Sequence, residues 1–269
     1  MSKQKTSGGF SFVVSALAIL ICIGIGWFIY KMILGSPSNF DAEGPEKGHP
    51  LNGNILGTMY KGGIIVPFLL GVFLTVITFG IERLMTISKA SGKGQVDKFV
   101  ATIKTLVSNH QLDEAIAECD KQKGSLANVV HEGIAKYKFV ENDAHLDKEA
   151  KVHAIQKSLE EATSLELPML SKNMVVISTC ASIGTLMGLI GTVVGMIRAF
   201  GALAQAGAPD TSALATGISE ALVNTLVGIA SSALAIILYN FFSNRVDTLT
   251  YAMDEAGFSI VQEFQSSAK

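Results

Sequence analysis

The sequence has few charged residues for its size, and this scarcity limits the kinds of protein it can be. Only 16% of its 269 residues are charged, whereas about 25% is typical of a soluble domain, and 49% are hydrophobic. The net charge of −2 provides no overall field that would attract nucleic acid. The composition is too apolar for an ordinary soluble domain and too polar for a chain lying entirely within a membrane.

Cysteine and histidine are also scarce and widely spaced, which argues against an enzyme active site. The three cysteines, Cys22, Cys119 and Cys180, have no metal-ligand or redox spacing, so we expect packing thiols. The five histidines lack spacings such as H-E-x-x-H, and no G-x-x-x-x-G-K-[ST] loop is present. We therefore expect no catalytic residue, no metal and no cofactor.

What the sequence does contain is a set of long apolar stretches. Each could cross about 30 Å of hydrocarbon, which needs about 20 helical residues. They cover residues 11–34, 62–81, 173–197 and 211–244, and the third is expected to continue to about Gln205. The predicted fold class is all-α: a polytopic membrane protein with four transmembrane helices and a helical domain outside the membrane.

Lysines and arginines beside these stretches predict that both termini lie on the cytoplasmic side. The flanks that would lie inside carry Lys3, Lys5, Arg83, Lys89, Lys93, Lys172 and Arg245. Lys47, Lys61 and Arg198 run against this trend but are fewer. The first stretch could instead be a signal peptide, although its apolar core is long and no cleavage site is clear.

These predictions divide the chain into six segments. Residues 1–34 form a transmembrane helix, 35–61 an external loop, 62–87 a second transmembrane helix, 88–171 a cytoplasmic helical domain, 172–244 a transmembrane hairpin, and 245–269 a cytoplasmic helix. Turn signals predict that the external loop is irregular. Helical periodicity in the cytoplasmic domain breaks near Asn109 and Gly124, and a longer helix is predicted from Ala144 through Leu167.

Glu220 is the only charge in the stretch 211–244. A charge at the centre of a membrane helix costs about 2.5–3.5 kcal/mol, so it is expected to face other helices, a polar cavity or an ion path. If the hairpin turns at residues 207–209, Thr192 lies at a similar depth to Glu220.

Two more polar residues follow Glu220 on the same stretch. Asn224 is four residues later and shares its face, whereas Thr225 is about 140° around the helix. Together with Thr192, they predict the lining of an ion path, although threonines of this kind also bond their own backbone. A proton is the favoured ion, because a carboxyl group and threonines do not form a six-oxygen cation cage, and sodium stays an alternative.

Small residues accompany this polar set and predict close helix packing. The predicted packing residues are Gly184, Gly188, Gly191, Gly195, Gly217 and Gly228.

Two motifs in the hairpin resemble the MotA/TolQ/ExbB family of proton-channel subunits. They are GLIGTVVGMI at residues 188–197 and GISEAL at residues 217–222, the latter followed by Thr225 and Gly228. The likeness is specific over roughly residues 167–244 and weaker over the cytoplasmic domain. It is stronger to the ExbB and TolQ branch than to MotA.

The resemblance implies a proton-channel or stator subunit in the bacterial inner membrane that energises TonB-dependent outer-membrane transport. Five copies would surround the membrane helices of a smaller, single-span partner of the ExbD/TolR type. Positions matching Glu220, Thr192 and Thr225 would border the pore, and motion would pass to a TonB- or TolA-like protein. A TolQ-like envelope-maintenance subunit or another stator is the alternative within this class, and a passive membrane scaffold is the alternative outside it.

The chain departs from the family pattern in two ways. ExbB and TolQ usually have three spans, whereas four are predicted here; MotA has four but generally lacks an acid matching Glu220. Asn224 stands where the ExbB and TolQ pattern usually has a small apolar residue. We expect Asn224→Ala to leave assembly intact.

Overall fold

The computed structural model describes residues 7–41, 43–205 and 211–267. These ranges contain the helices α1 (Ser7–Ile29), α2 (Gly44–Lys47), α3 (Ile55–Tyr60), α4 (Ile65–Ala90), α5 (Val96–Ser108), α6 (Leu112–Gln122), α7 (Gly124–Glu141), α8 (Lys148–Ser171), α9 (Met174–Gln205) and α10 (Thr211–Ser267). A π-helical turn (Tyr30–Leu34) and a 3-10 turn (Pro37–Asn39) follow α1. The all-α fold class is confirmed. By length and composition, four helical stretches of the described chain could cross a membrane.

The chain forms two compact units. The first comprises the described residues of Met1–Ile81 and Val175–Tyr239, and the second those of Glu82–Met174 and Asn240–Lys269. Both α4 and α10 contribute to each unit. The division falls close to where the apolar sequence of these helices gives way to charged sequence.

In the first unit, α1 and α4 pack as an antiparallel pair through small residues. Gly26 lies so close to Gly71 that a methyl group on Gly26 would meet the Gly71 nitrogen at 2.7 Å. Farther along, the Cys22 sulfur lies 3.5 Å from the Thr78 hydroxyl oxygen. Residues without bulky side chains allow two membrane helices to approach this closely.

The helices α4 and α10 run parallel in the same unit. Gly63, just before α4, lies against Glu220, and Gly80 lies against Leu238. Since α9 is antiparallel to α10, α1 and α9 point one way and α4 and α10 the other. The start of α1 and the end of the first-unit part of α10 therefore lie at the same end of this bundle.

The segment 35–61, predicted to be irregular, instead contains short helices arranged around a buried asparagine. Asn39 is 6% exposed, and its Nδ2 donates to the carbonyls of Ile33 and Leu34 at 2.8 and 3.0 Å. Its Oδ1 accepts from Asn54 Nδ2 at 3.1 Å, and Asn54 also caps α3. The prediction of irregular structure is wrong for the residues in these short helices, and turns and bends make up much of the described remainder. The asparagine amides satisfy backbone groups that would otherwise lack a partner.

The second unit is a helical domain with an apolar core. Its helices are interrupted at residues 109–111 and at Lys123, close to the predicted breaks. The long helix α8 begins at Lys148 rather than Ala144 and continues through Pro168 to its end. Large side chains that are fully buried here include Ile103, Leu126, Ile134, Tyr137, Ile155, Leu249 and Phe264.

A buried arginine ties α4 to α8 within the second unit. The Arg83 side chain is 1% exposed, and its Nε and Nη2 donate to the two Glu82 carboxylate oxygens at 2.7 and 2.5 Å. Its Nη1 donates to the carbonyls of Met169 and Leu170 at 3.2 and 3.3 Å. These carbonyls belong to the last turn of α8, where no intrahelical donor is available. Arg83 therefore caps α8 while remaining paired with Glu82.

Candidate functional site

Glu220 lies on α10 in the first unit, and its side chain is 9% exposed. Its carboxylate lies against Gly63, which precedes α4 and has a φ of +77°. A side chain at Gly63 would both strain this backbone conformation and collide with Glu220 Oε1. The turn before α4 therefore needs glycine in order to enclose the carboxylate.

Arg198 of α9 forms an ion pair with Glu220. Its Nη1 donates to Glu220 Oε1 at 2.6 Å, and its side chain is 53% exposed. A charge that is withdrawn from water is destabilising unless a charged partner and hydrogen bonds compensate for the lost hydration. The Arg198 guanidinium supplies that compensating charge and hydrogen bond. The glutamate is enclosed, whereas the arginine is partly exposed.

Arg198 is a site residue that was not predicted from the sequence, where it counted only as a flanking charge that runs against the orientation trend. The helix α9 continues to Gln205, as expected, so Arg198 lies within it. One signal was available: Arg198 and Glu220 are equally far in sequence from Pro209. The expected turn at residues 207–209 lies outside the described residues.

Asn224 faces the same turn as Glu220. It is fully buried, and its Nδ2 donates to the Gly62 carbonyl at 2.8 Å. Its Oδ1 is buried without a hydrogen-bond partner among the described residues. Their spacing of four residues places Glu220 and Asn224 on one face of α10, and both contact the Gly62–Gly63 turn. Asn224 thus has a packing partner in addition to its predicted place beside the ion path.

The hydroxyls of Thr192 and Thr225 bond their own helices. Thr192 donates to the Leu189 carbonyl at 2.6 Å, and Thr225 donates to the Ala221 carbonyl at 3.2 Å. No hydrogen bond joins either hydroxyl to Glu220 in the part of the chain that the structure describes. Both side chains are partly exposed, so the single chain does not gather the predicted lining residues around one cavity.

The relative depth of Thr192 and Glu220 follows from the α9–α10 contact. Gly191 of α9 lies directly against Asn224 of α10. Thr192 is therefore level with Asn224, about 6 Å or one helical turn from Glu220. The expected similarity in depth holds to within that one turn.

The glycines predicted to pack lie at the contact between α9 and α10. They are Gly184, Gly188, Gly191, Gly195, Gly217 and Gly228. A methyl group on Gly228 would meet the Gly184 oxygen at 2.6 Å and Gly188 Cα at 2.8 Å, and backbone atoms cannot move aside as a flexible side chain can. Gly217 lies against Ala199 in the same way, which brings the neighbouring Arg198 close to α10.

An apolar cluster packs beside the polar residues. It contains Tyr30, Leu34, Ile65, Val66, Leu69, Val223 and Val227. The Tyr30 hydroxyl donates to the Tyr60 carbonyl at 3.0 Å, and the two rings stack with centroids 4.6 Å apart. Tyr30 is also within electrostatic reach of Glu220 and Arg198. The ion pair therefore lies beside tightly packed apolar side chains, where solvent screens charges weakly.

Metal and thiol chemistry depend on how the described histidines, acidic residues and cysteines are placed. The described residues contain no group of three or more His, Cys, Asp or Glu side chains that could hold a metal ion. Cys22, Cys119 and Cys180 are buried and free, which confirms the prediction of packing thiols. Burial raises the pKa of the Cys119 thiol to about 12, so its reactive thiolate is scarce near neutral pH.

The chain is similar to several known proteins. Residues 121–255, about half of the chain, match the MotA/TolQ/ExbB proton channel family. Biopolymer transport protein ExbB of Pseudomonas putida is 27% identical over 192 residues, which are 70% of this chain and 56% of that protein.

Two Tol-Pal system proteins TolQ are also similar. The protein of Pseudomonas aeruginosa is 29% identical over 117 residues, 44% of this chain and 51% of its own length. That of Haemophilus influenzae is 33% identical over 101 residues, 38% of this chain and 44% of its own length. The chain thus spans about half the length of the curated relatives it matches.

Proposed function

This chain belongs to the MotA/TolQ/ExbB proton channel family, and we propose that it is the proton-channel subunit of an ExbB–ExbD-type stator complex. The observation that carries the proposal is the enclosed Glu220 carboxylate in a bundle of apolar helices. Ionisable groups within membrane segments are expensive and mark proton relays and ion pathways. A carboxyl group can bind a proton on one side of a barrier and release it on the other.

We propose that the ion is a proton rather than sodium. Arg198 already occupies one carboxylate oxygen, and its guanidinium charge repels a metal cation at close range. The Thr192 and Thr225 hydroxyls donate to backbone carbonyls of their own helices. These contacts leave few oxygens directed at one point, whereas a proton needs only the carboxylate.

Several copies of the chain are proposed to act together. Five would surround a single-span partner of the ExbD/TolR type, and Thr192 and Thr225 would line the space between them. In support, Thr192 lies on a face of α9 that also presents Val193, Ile197 and Phe200, which are 58%, 67% and 59% exposed. Such a face requires lipid or another helix, and the threonine favours a helix as neighbour.

The proposed location is the bacterial inner membrane, with both termini in the cytoplasm. The charges flanking the apolar stretches favour this orientation. The helix directions in the first unit are compatible with it, because the start of α1 and the end of the first-unit part of α10 lie together. The external segment is then residues 35–61, and the second unit is cytoplasmic.

The proposed client is a TonB-like protein that drives outer-membrane transport, and a TolQ-like role with a TolA-like protein is the second candidate. It is favoured by the two similar TolQ proteins. The partners choose the client, so purification of each candidate partner with the tagged chain from its native host separates the two roles.

The decisive experiment is Glu220→Gln in the complex purified with its co-expressed single-span partner. Glutamine keeps the shape and hydrogen-bonding capacity of the side chain but cannot carry a proton as a carboxylate does. We expect an assembled complex with no proton uptake into vesicles. An assembled variant with normal uptake would support the passive-scaffold alternative instead.

A further inference from the structure

The two side chains of the Arg198–Glu220 ion pair differ in exposure, and this difference indicates that Arg198 can move. The Glu220 side chain is 9% exposed and held against Gly63, whereas the Arg198 side chain is 53% exposed. A single hydrogen bond of 2.6 Å joins Arg198 Nη1 to Glu220 Oε1. In the single chain the acid is therefore confined, while the base has room to leave.

The strength of this contact depends on the charge of Glu220. A hydrogen bond between an ionised donor and an ionised acceptor is shorter and stronger than one between neutral groups. When the carboxylate takes up a proton it loses its charge, and the attraction for the guanidinium falls sharply. Arginine itself stays charged at all relevant pH values.

From this asymmetry we infer that Arg198 is the positioning residue of the proton carrier: it holds Glu220 ionised and oriented at rest and withdraws when Glu220 is protonated. This inference rests on the proposed function. In the first step a hydronium ion on the acidic side gives a proton to a Glu220 oxygen and is left as water, and the ion pair opens. In the second step that proton passes to water on the other side, and the carboxylate pairs with Arg198 again.

The groups around Glu220 favour an ion pair that closes when Glu220 is ionised over one that is permanently closed. The neighbouring titratable group is Tyr30, at the end of the first span, and its hydroxyl donates to the Tyr60 carbonyl. Asn224, on the same face of α10, donates to the Gly62 carbonyl. Neither contact supplies a second positive charge, so within the described residues Arg198 is the group that balances the Glu220 charge.

The inference can be tested in the complex with its co-expressed partner, reconstituted in vesicles. The variants are Arg198→Gln, Arg198→Lys and, as a matched control on an exposed arginine near the end of the fourth apolar stretch, Arg245→Gln. The readouts are assembly, proton uptake and the infrared bands of Glu220, identified by subtracting the spectrum of Glu220→Gln. Infrared spectra distinguish a carboxylate from a protonated carboxyl group. If Arg198 had a purely structural role, the protonation state of Glu220 would be the same in wild type and variant.

We expect Arg198→Gln to assemble and to show the protonated carboxyl band at neutral pH, because an unpaired charge is unfavourable in this site. Proton uptake should fall at least about tenfold, as expected when a neighbouring charge that favours the ionised form is removed. Arg198→Lys should restore part of the uptake and the carboxylate band, since lysine keeps the charge but not the guanidinium geometry. Arg245→Gln should match the wild type.

Normal uptake together with an unchanged carboxylate band in Arg198→Gln would overturn the inference. Loss of assembly in both Arg198→Gln and Arg198→Lys would also overturn it, because the guanidinium would then be a packing element. Failure of the proposed function is distinguishable from both results, since it would appear as normal uptake in Glu220→Gln.

Discussion

Two arginine–glutamate pairs in this chain are built in opposite ways. In the second unit the arginine is the buried member: Arg83 is 1% exposed and Glu82 is 40% exposed. In the first unit the acid is buried: Glu220 is 9% exposed and Arg198 is 53% exposed. Arg83 makes a two-point contact with its acid and also donates to two backbone carbonyls, whereas one hydrogen bond joins Arg198 to Glu220.

Both pairs consist of an arginine and a glutamate, so the residue types do not explain the difference. The burial and the hydrogen bonds of each side chain decide whether the ion pair stays closed or can open. A guanidinium that is buried and bonded at several nitrogens can move only if the helices around it separate. A guanidinium that is half exposed can leave at the expense of a single interaction. We therefore expect Arg83 to support stability and the Arg198–Glu220 pair to support function.

The largest effect on stability is expected from Arg83→Leu. This change removes the partner of Glu82, which is itself 40% exposed, and leaves the Met169 and Leu170 carbonyls without their donor, at about 1–3 kcal/mol for each buried group left unsatisfied. The thermal midpoint of the complex should fall strongly, and Cys119 should become open to alkylation in a background with the other two cysteines replaced. Arg245→Leu provides the control, since Arg245 is exposed and stacks over the Phe241 ring at 5.6 Å.

If Arg83→Leu leaves the thermal midpoint unchanged and Cys119 inaccessible to alkylation, Arg83 does not support stability. The proposed difference between the two ion pairs would then be wrong. The contrast is sharpened if Arg198→Gln, measured in parallel, keeps a midpoint close to that of the wild type while proton uptake falls.

A smaller loss of stability is expected from Gly228→Ala. The added methyl group would meet backbone atoms of Gly184 and Gly188, so α9 and α10 would have to separate, at about 1–3 kcal/mol for overpacking. That separation would also weaken the approach of Arg198 to Glu220, and thermal stability and proton uptake should fall together. Gly201→Ala on α9 is the matched control, because an added methyl group there meets no atom of the described residues within 4 Å. Equal stability of the two variants would argue against a tight α9–α10 contact.

The smallest effect is expected from Asn224→Ala, which removes the hydrogen bond to the Gly62 carbonyl. One such bond contributes about 1 kcal/mol, so the thermal midpoint should fall modestly while assembly is retained. Thr192→Val is the control for stability, since the Thr192 hydroxyl bonds the Leu189 carbonyl of its own helix and no other group in the described part of the chain. Loss of the complex in Asn224→Ala would mean that Asn224 is essential to packing and not only a neighbour of the ion path.

The sequence was a good guide wherever local pattern dominates. The apolar stretches predicted the membrane helices, because helix length and hydrocarbon thickness are linked by simple geometry. The spacing of small residues identified Gly188 and Gly228 as helix contacts before their partners were known. By contrast, turn signals predicted that the segment 35–61 is irregular. Those signals do not specify which groups the Asn39 and Asn54 amides bond, and these bonds accompany the short helices.

The two arginine–glutamate pairs show the same division. By itself the sequence determined that Glu220 is a charge within an apolar stretch. Such a charge is costly in a membrane helix and is therefore expected to face other helices, a polar cavity or an ion path. Only the tertiary structure decided that Arg198 compensates it, that Gly63 encloses it, and that Arg83 is buried against α8. The physical reason is that hydrophobic periodicity and glycine spacing are properties of one helix, whereas the partner of a charge depends on how far helices are rotated and shifted against one another. That register is set by packing of backbone on backbone, and no single segment of the chain encodes it.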